Sequence, residues 1–231
     1  MKPQEFSVPL DAGAKTTAMV YAADRPIAAL ILAHGAGAGQ LHPFMVRFGH
    51  ALSALNIDIV TFNFLYTAQR RRLPDRGPVL EACYRSVVQA VTDRVESART
   101  HLFIGGKSMG GRIATQIAAD AGAALPIHGL VLLGYPLHPP GRPEQRRDRH
   151  LPAVARPMLF VQGNRDTFGT PAELTSVLSG LTPPPALHIV EGGDHSFALP
   201  RKDSARQASI FEDVQRAIVD WISSVIGISI P

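Results

Sequence analysis

The sequence predicts an α/β fold, with about eight strands in a mostly parallel sheet and helices on both faces. Two observations carry that expectation. After an opening hairpin, segments of strand character alternate with segments of helical periodicity almost without pause. The run Ile27 to Ala33 is also apolar without interruption, as expected of a strand buried on both faces of a sheet.

Each element has its own signal. Glu5 to Leu10 and Thr16 to Tyr21 read as strands joined by the turn sequence Asp11-Ala12-Gly13. Ile27 to Ala33 follows and runs into the loop His34-Gly35-Ala36-Gly37-Ala38-Gly39. A helix then starts near Pro43, with Phe44, Phe48, Leu52 and Leu55 on one side, and Ile57 to Phe64 is the next strand. Beyond an arginine-rich loop, Pro78 opens an amphipathic helix that runs to about Glu96. His101 to Gly105 is an apolar run leading into a helix in which Ile113 and Ile117, like Ala114 and Ala118, fall at i and i+4. Gly129 to Gly134 is a strand, Leu137 to Pro157 a polar stretch and Met158 to Gln162 another strand. Thr170-Pro171-Ala172-Glu173 carries the N-cap Thr, N1 Pro and N3 Glu of a capping box, so a helix begins there. Leu187 to Glu191 is the last strand, and Phe211, Val214, Ile218, Trp221, Ile222 and Val225 mark a closing helix. With no internal repeat and no linker, residues 1–231 read as one domain.

Composition narrows the function classes. The net charge of +4 comes largely from arginine, clustered at Arg70, Arg71, Arg72, Arg76 and at Arg142, Arg146, Arg147, Arg149. A nucleic-acid partner is not expected, because aromatics do not interleave these clusters and no basic helix or nucleic-acid module accompanies them. A membrane is not expected either, since the longest apolar run is far too short to span one. Met1 to Leu10 has neither a basic start nor an apolar stretch behind it, which points to a cytoplasmic protein. The single cysteine, Cys83, shares an apolar helical face with Leu80, Val87 and Val91, so it reads as a buried hydrophobe.

The chemistry is carried by Gly106-Lys107-Ser108-Met109-Gly110, a G-x-S-x-G sequence between a predicted strand and a predicted helix. A serine projected from so sharp a turn needs small flanking residues, which Gly106 and Gly110 supply. The same turn directs the helix N-terminus and the Met109 N–H toward an oxyanion formed when Ser108 attacks a carbonyl. The second donor is expected from the glycine-rich loop, Ala36 first and Gly37 second. A phosphate cradle is the competing reading of that loop, but its spacing is not G-x-G-x-x-G and no P-loop lysine follows.

A serine nucleophile needs a base and an acid that orients it. In a parallel sheet such residues follow the carboxyl ends of strands, which selects Asp166 and His195. The order Ser108, Asp166, His195 suits that arrangement. Of nine histidines only His195 follows the last strand, on a Gly-Gly-Asp turn. Asp194 competes for the acid role, but sequence neighbours point apart, so it is expected to brace its own turn. Lys107 is expected to point away from Ser108, toward the surface or a supporting ion pair. His34, His42 and His138 have no ligand spacing that would call for a metal, and no cofactor is implied.

Taken together, His34 to Gly39, Gly106 to Gly111, Gly134 to Gly141, Gln162 to Gly169 and Asp194-His195-Ser196-Phe197 resemble a small branch of the α/β-hydrolases. That branch is similar to dienelactone hydrolases and includes predicted bacterial hydrolases, a testis-expressed animal protein and a domain of a chromatin acetyltransferase-complex subunit. The resemblance spans roughly residues 5 to 226 and implies the α/β-hydrolase fold and the triad above. Dienelactone hydrolases proper carry cysteine where this chain has Ser108, which argues against dienelactone as substrate.

The segment between Gly134 and Met158 is too short for a large lid domain, so a small soluble ester or thioester is the expected substrate. His42, His138 and Arg71 are candidate substrate contacts. The arginine clusters follow strands on either side of the elbow strand in the family's strand order; they frame the pocket entrance for an anionic ester, or else are ordinary solvated surface. The alternative reading, drawn from the chromatin-linked relatives, is a catalytically silent scaffold that binds a protein partner.

Overall fold

In the computed structural model, which describes residues 2–120, 122, 125–200 and 203–228, the apolar runs become one sheet. Its strands are β1 (Gln4–Pro9), β2 (Lys15–Tyr21), β3 (Ala28–Ala33), β4 (Ile57–Phe62), β5 (Leu102–Lys107), β6 (Gly129–Leu133), β7 (Met158–Gly163) and β8 (Ala186–Val190). They lie in the order β1-β2-β4-β3-β5-β6-β7-β8. β1 and β2 pair antiparallel, β2 pairs antiparallel with β4, and all pairs from β4 to β8 are parallel. The carboxyl ends of those strands therefore share one edge, and the chain winds outward on both sides of β3.

Around the sheet lie α1 (Pro43–Ala54), α2 (Leu65–Ala68), α3 (Gly77–Arg94), α4 (Glu96–Thr100), α5 (Met109–Ala118), α6 (Pro171–Leu178) and α7 (Ser204–Ile226). The reason β3 is apolar throughout is visible in its neighbours. Ala29, Ile31 and Ala33 face a core with Val87, Val91, Ile113 and Ile117, whereas Ala28, Leu30 and Leu32 face a second core with Phe48, Leu52, Ile218 and Ile222. Two layers of helices thus each bury one face of the strand.

Most element boundaries shift by a residue or two from the sequence expectation, and two of the shifts have a visible cause. The strand expected to reach Phe64 ends at Phe62, where the chain leaves the sheet and enters α2 through the N-cap Phe64. The long helix expected to reach Glu96 ends at Arg94, because Val95 is extended, with its side chain buried, and a separate short helix follows. The capping box at α6 forms as its sequence implies: the Thr170 hydroxyl accepts from Glu173 N, and the Glu173 carboxylate accepts from Thr170 N at 2.8 Å. Between β6 and β7 the chain makes turns and one 3-10 turn at Leu151–Ala153, with no lid domain. Among the described residues, no helix is long and apolar enough to cross a membrane.

Candidate active site

Ser108 sits between the last residue of β5 and the first of α5, with φ 52° and ψ −116°. A left-handed backbone at a non-glycine residue is strained, and here it turns the chain from strand to helix within one residue. The strain is tolerable only if β3, β5 and α5 approach closely. A Cβ on Gly106 would lie 2.5 Å from the Ala33 carbonyl oxygen, and one on Gly110 only 2.4 Å from that same atom. Any larger residue at either position would force the elbow apart.

His195 and Asp166 reach Ser108 from the ends of β8 and β7. The Ser108 hydroxyl lies 2.9 Å from His195 Nε2, and His195 Nδ1 lies 2.7 Å from Asp166 Oδ2. With Nδ1–H donated to the carboxylate, Nε2 is the free acceptor that can take the serine proton. The Asp166 side chain is fully buried, whereas that of His195 is 21% exposed, so of these two the ring is the one that borders the cavity. Asp166 also accepts from Phe168 N at 2.8 Å and from Gln162 Nε2 at 2.8 Å. The Phe168 ring stacks on His195 with centroids 4.2 Å apart, which holds the imidazole plane. Asp194 does something else: its carboxylate accepts from Ser196 N and Ala198 N, bracing the turn that carries His195.

Gln162 was not singled out in the sequence, although a polar residue inside an apolar strand must find partners. It is fully buried, accepts from Tyr135 N at 2.8 Å and donates to Asp166 and to the Gly169 carbonyl. It therefore ties the segments after β6 and β7 to the acid. Of the two placements expected for Lys107, the surface and a supporting charge pair, its burial rules out the surface. It lines the same cavity as Ser108, is only 8% exposed, and a Cβ on Gly134 would lie 3.0 Å from its Nζ. Burial pushes its amine down to about 8, against the upward pull of Asp166 and Asp194.

The glycine-rich loop is held against the elbow by His34. That fully buried ring accepts from Phe64 N through Nε2 and donates through Nδ1 to the Gly35 carbonyl at 2.8 Å. Both nitrogens are used as a neutral imidazole uses them, and burial presses its pKa down to about 4. A Cβ on Gly35 would stand 3.5 Å from Ser108 Cβ, so the loop passes directly over that serine. Among the described residues, the backbone N–H groups of Ala36 and Met109 have no acceptor, and both residues line the cavity. Gly37 turns away at φ +72° and lines an adjoining groove instead.

The cavity has a volume of about 500 Å³. His42 lines it while capping α1, its Nδ1 accepting from Phe44 N. His138 is not part of that lining: its ring is bonded to the Pro139 carbonyl and to Glu173. Arg71 also stays outside it, ion-paired with Asp75 at 2.7 Å and bordering the adjoining groove. Arg147, from one of the two arginine clusters, does line it, and so does Arg112, which belongs to neither cluster. Among the described residues, no group of three or more His, Cys, Asp or Glu is arranged to hold a metal ion.

A sheet of this order with a strained serine at its central turn defines an alpha/beta hydrolase fold, and the comparisons agree. The family described as alpha/beta hydrolase domain matches residues 26–223, so the chain belongs to that family. An alpha-beta serine hydrolase homologue from Coxiella burnetii is similar in structure, with a TM-score of 0.74 at 18% identity over 94% of this chain and 98% of that one. Dienelactone hydrolase from Anabaena variabilis gives a TM-score of 0.73 at 19% identity, covering 97% and 99%. A serine hydrolase without a lid from Xanthomonas campestris gives 0.68 at 20% identity, covering 94% and 95%. At such identities these likenesses speak to the fold.

Proposed function

We propose that the protein is a serine hydrolase that cleaves a small ester or thioester through an acyl-enzyme intermediate. The observation that carries this reading is the continuous chain from Ser108 Oγ to His195 Nε2 and from His195 Nδ1 to Asp166. In the proposed cycle His195 takes the Ser108 proton as Oγ attacks the carbonyl carbon, and Asp166 stabilises the imidazolium. The tetrahedral oxyanion is received by the Met109 and Ala36 amides, with the N-terminus of α5 adding to the field. Collapse expels the alcohol or thiol, which takes its proton from His195. Water, deprotonated by the same ring, then releases the acid and restores Ser108.

The open cavity and, among the described residues, the absence of a lid domain support a small substrate with an accessible carbonyl. The three side chains are already bonded to one another as turnover requires, which argues against the catalytically silent scaffold. Labelling with a fluorophosphonate probe tests the proposal. Wild-type protein should label and Ser108→Ala should not. Absence of label on the wild type, or equal label on both, overturns it.

A further inference from the structure

The lining of the Ser108 cavity contains more positive charge than the triad chemistry needs. Arg112 and Arg147 border it as well as Lys107, which feels the carboxylates of Asp166 and Asp194, and among the described residues its one acidic lining residue, Asp75, is already ion-paired with Arg71. Among the described residues, neither Arg112 nor Arg147 forms an ion pair. The loop that carries Arg147 does own a carboxylate, Asp148, but that group pairs with Arg146 at 2.6 Å. The cation facing the cavity is thus the one left without a partner.

Both arginines are held by the framework that holds the triad. Arg112 stands one helical turn beyond the nucleophile, its N–H donating to the Ser108 carbonyl at 3.1 Å. Arg147 is fixed at both of its peptide groups. Its N–H donates to the Leu137 carbonyl at 2.9 Å, and its carbonyl accepts from the buried Tyr135 hydroxyl at 2.8 Å. Tyr135 N in turn donates to Gln162, the residue that binds Asp166. Both side chains are half-buried. Burial, and then the nearby Arg112 charge, press the Arg147 guanidinium below its ordinary value, yet a guanidinium keeps its proton at neutral pH. Two like charges on rigid supports repel one another until an anion lies between them.

We propose that Arg112 and Arg147 form a carboxylate subsite, so that the substrate is a small ester bearing a carboxylate. The planar forks of two guanidiniums suit a carboxylate, which they can bind through paired hydrogen bonds. The hydrolytic part of this statement rests on the Ser108 reading above; the binding of a carboxylate does not.

The test uses matched pairs: monophenyl adipate against phenyl adipamate, with the charge on the acyl side, and 4-acetoxybenzoate against 4-acetoxybenzamide, with the charge on the leaving group. In at least one pair the carboxylate should raise kcat/KM about tenfold or more. Arg147→Gln and Arg112→Gln should each lower that charged-to-neutral ratio by about ten- to hundredfold, the usual range for a charged hydrogen bond. Arg142→Ala, in the same cluster but exposed and off the cavity, should leave the ratio unchanged. A ratio near one in the wild type, or an equal fall in all three variants, overturns the subsite. Calorimetry on Ser108→Ala with the same four compounds reads binding without turnover. Carboxylate preference there, without fluorophosphonate labelling of the wild type, would overturn the hydrolase reading and keep the subsite. Labelling without any carboxylate preference would do the reverse.

Discussion

One side of the Ser108 cavity is finished inside the protein, whereas the other offers charges that the described residues leave unanswered. On the first side Ser108, His195, Asp166 and Gln162 bond to one another and to the backbone around them. On the second, Arg112 and Arg147 stand beside each other without a carboxylate. The difference teaches that a network closed on itself preorganises chemistry, since nothing has to rearrange when charge develops. Open cations do the opposite and hold binding energy for a group that arrives with the substrate.

The comparison can be broken most severely at the closed side. Ser108→Ala should lower turnover of any substrate by roughly a millionfold, read as kcat on a chromogenic ester. Asp166→Asn keeps the shape but lets His195 take the wrong tautomer, and kcat should fall about ten-thousandfold. A loss below about a hundredfold would show that Asp166 does not orient the ring.

Acid should weaken the support beneath that side. His34 has a folded pKa of about 4, below its ordinary 6.5, so the unfolded chain binds the proton more readily. Its contribution is complete above 6.5 and is lost as pH falls toward 4, by roughly 3 kcal/mol for a shift of this size. His128 and His150, also lowered chiefly by burial, act in the same direction. Urea unfolding at pH 7 and pH 4.5 measures the sum. The His34 ring resonance should stay flat down to about pH 5, and titration near 6.5 contradicts the assignment.

Gln162→Leu should cost about 2 kcal/mol of stability and about ten- to hundredfold in kcat, because it strands Tyr135 N and the Gly169 carbonyl and loosens Asp166. Because Gln162 also supports the loop of Arg147, the variant should relax carboxylate preference as well, which a merely catalytic role would not do. The smallest effect belongs to salt. Raising ionic strength from about 0.02 M to about 0.5 M should cut kcat/KM several-fold for a carboxylated ester and scarcely for its neutral partner.

Much of this was legible in the residues. Strands such as Ala28–Ala33 announce themselves because burial on both faces admits only apolar side chains. Ser108, Asp166 and His195 are legible because each follows its own strand and parallel strands end on one edge. Asp194 and Asp166 could be told apart only by the rule that neighbours in sequence diverge. Arg112 had a usable signal, since at i+4 from Ser108 it lies one turn along the same face of the helix. Arg147 had none: four arginines share one irregular segment, and no period selects the one that turns inward. For Lys107 the residues left surface and supporting pair open, and only the packed loops show it buried, with its Nζ in the space that Gly134 leaves at the end of β6.

The sequence by itself determined the alternation of strand and helix, the strained serine turn and the order of the three residues that meet there. These follow from local sterics, hydrophobic periodicity and the geometry of parallel strands, all of which act over a few residues or one repeat. Only the tertiary structure decided which arginines face the cavity, that Asp148 answers Arg146 rather than Arg147, and that Gln162 joins both sides. Such choices depend on which charges and polar groups become neighbours after distant loops pack, and ion pairing between surface segments leaves no period in the chain.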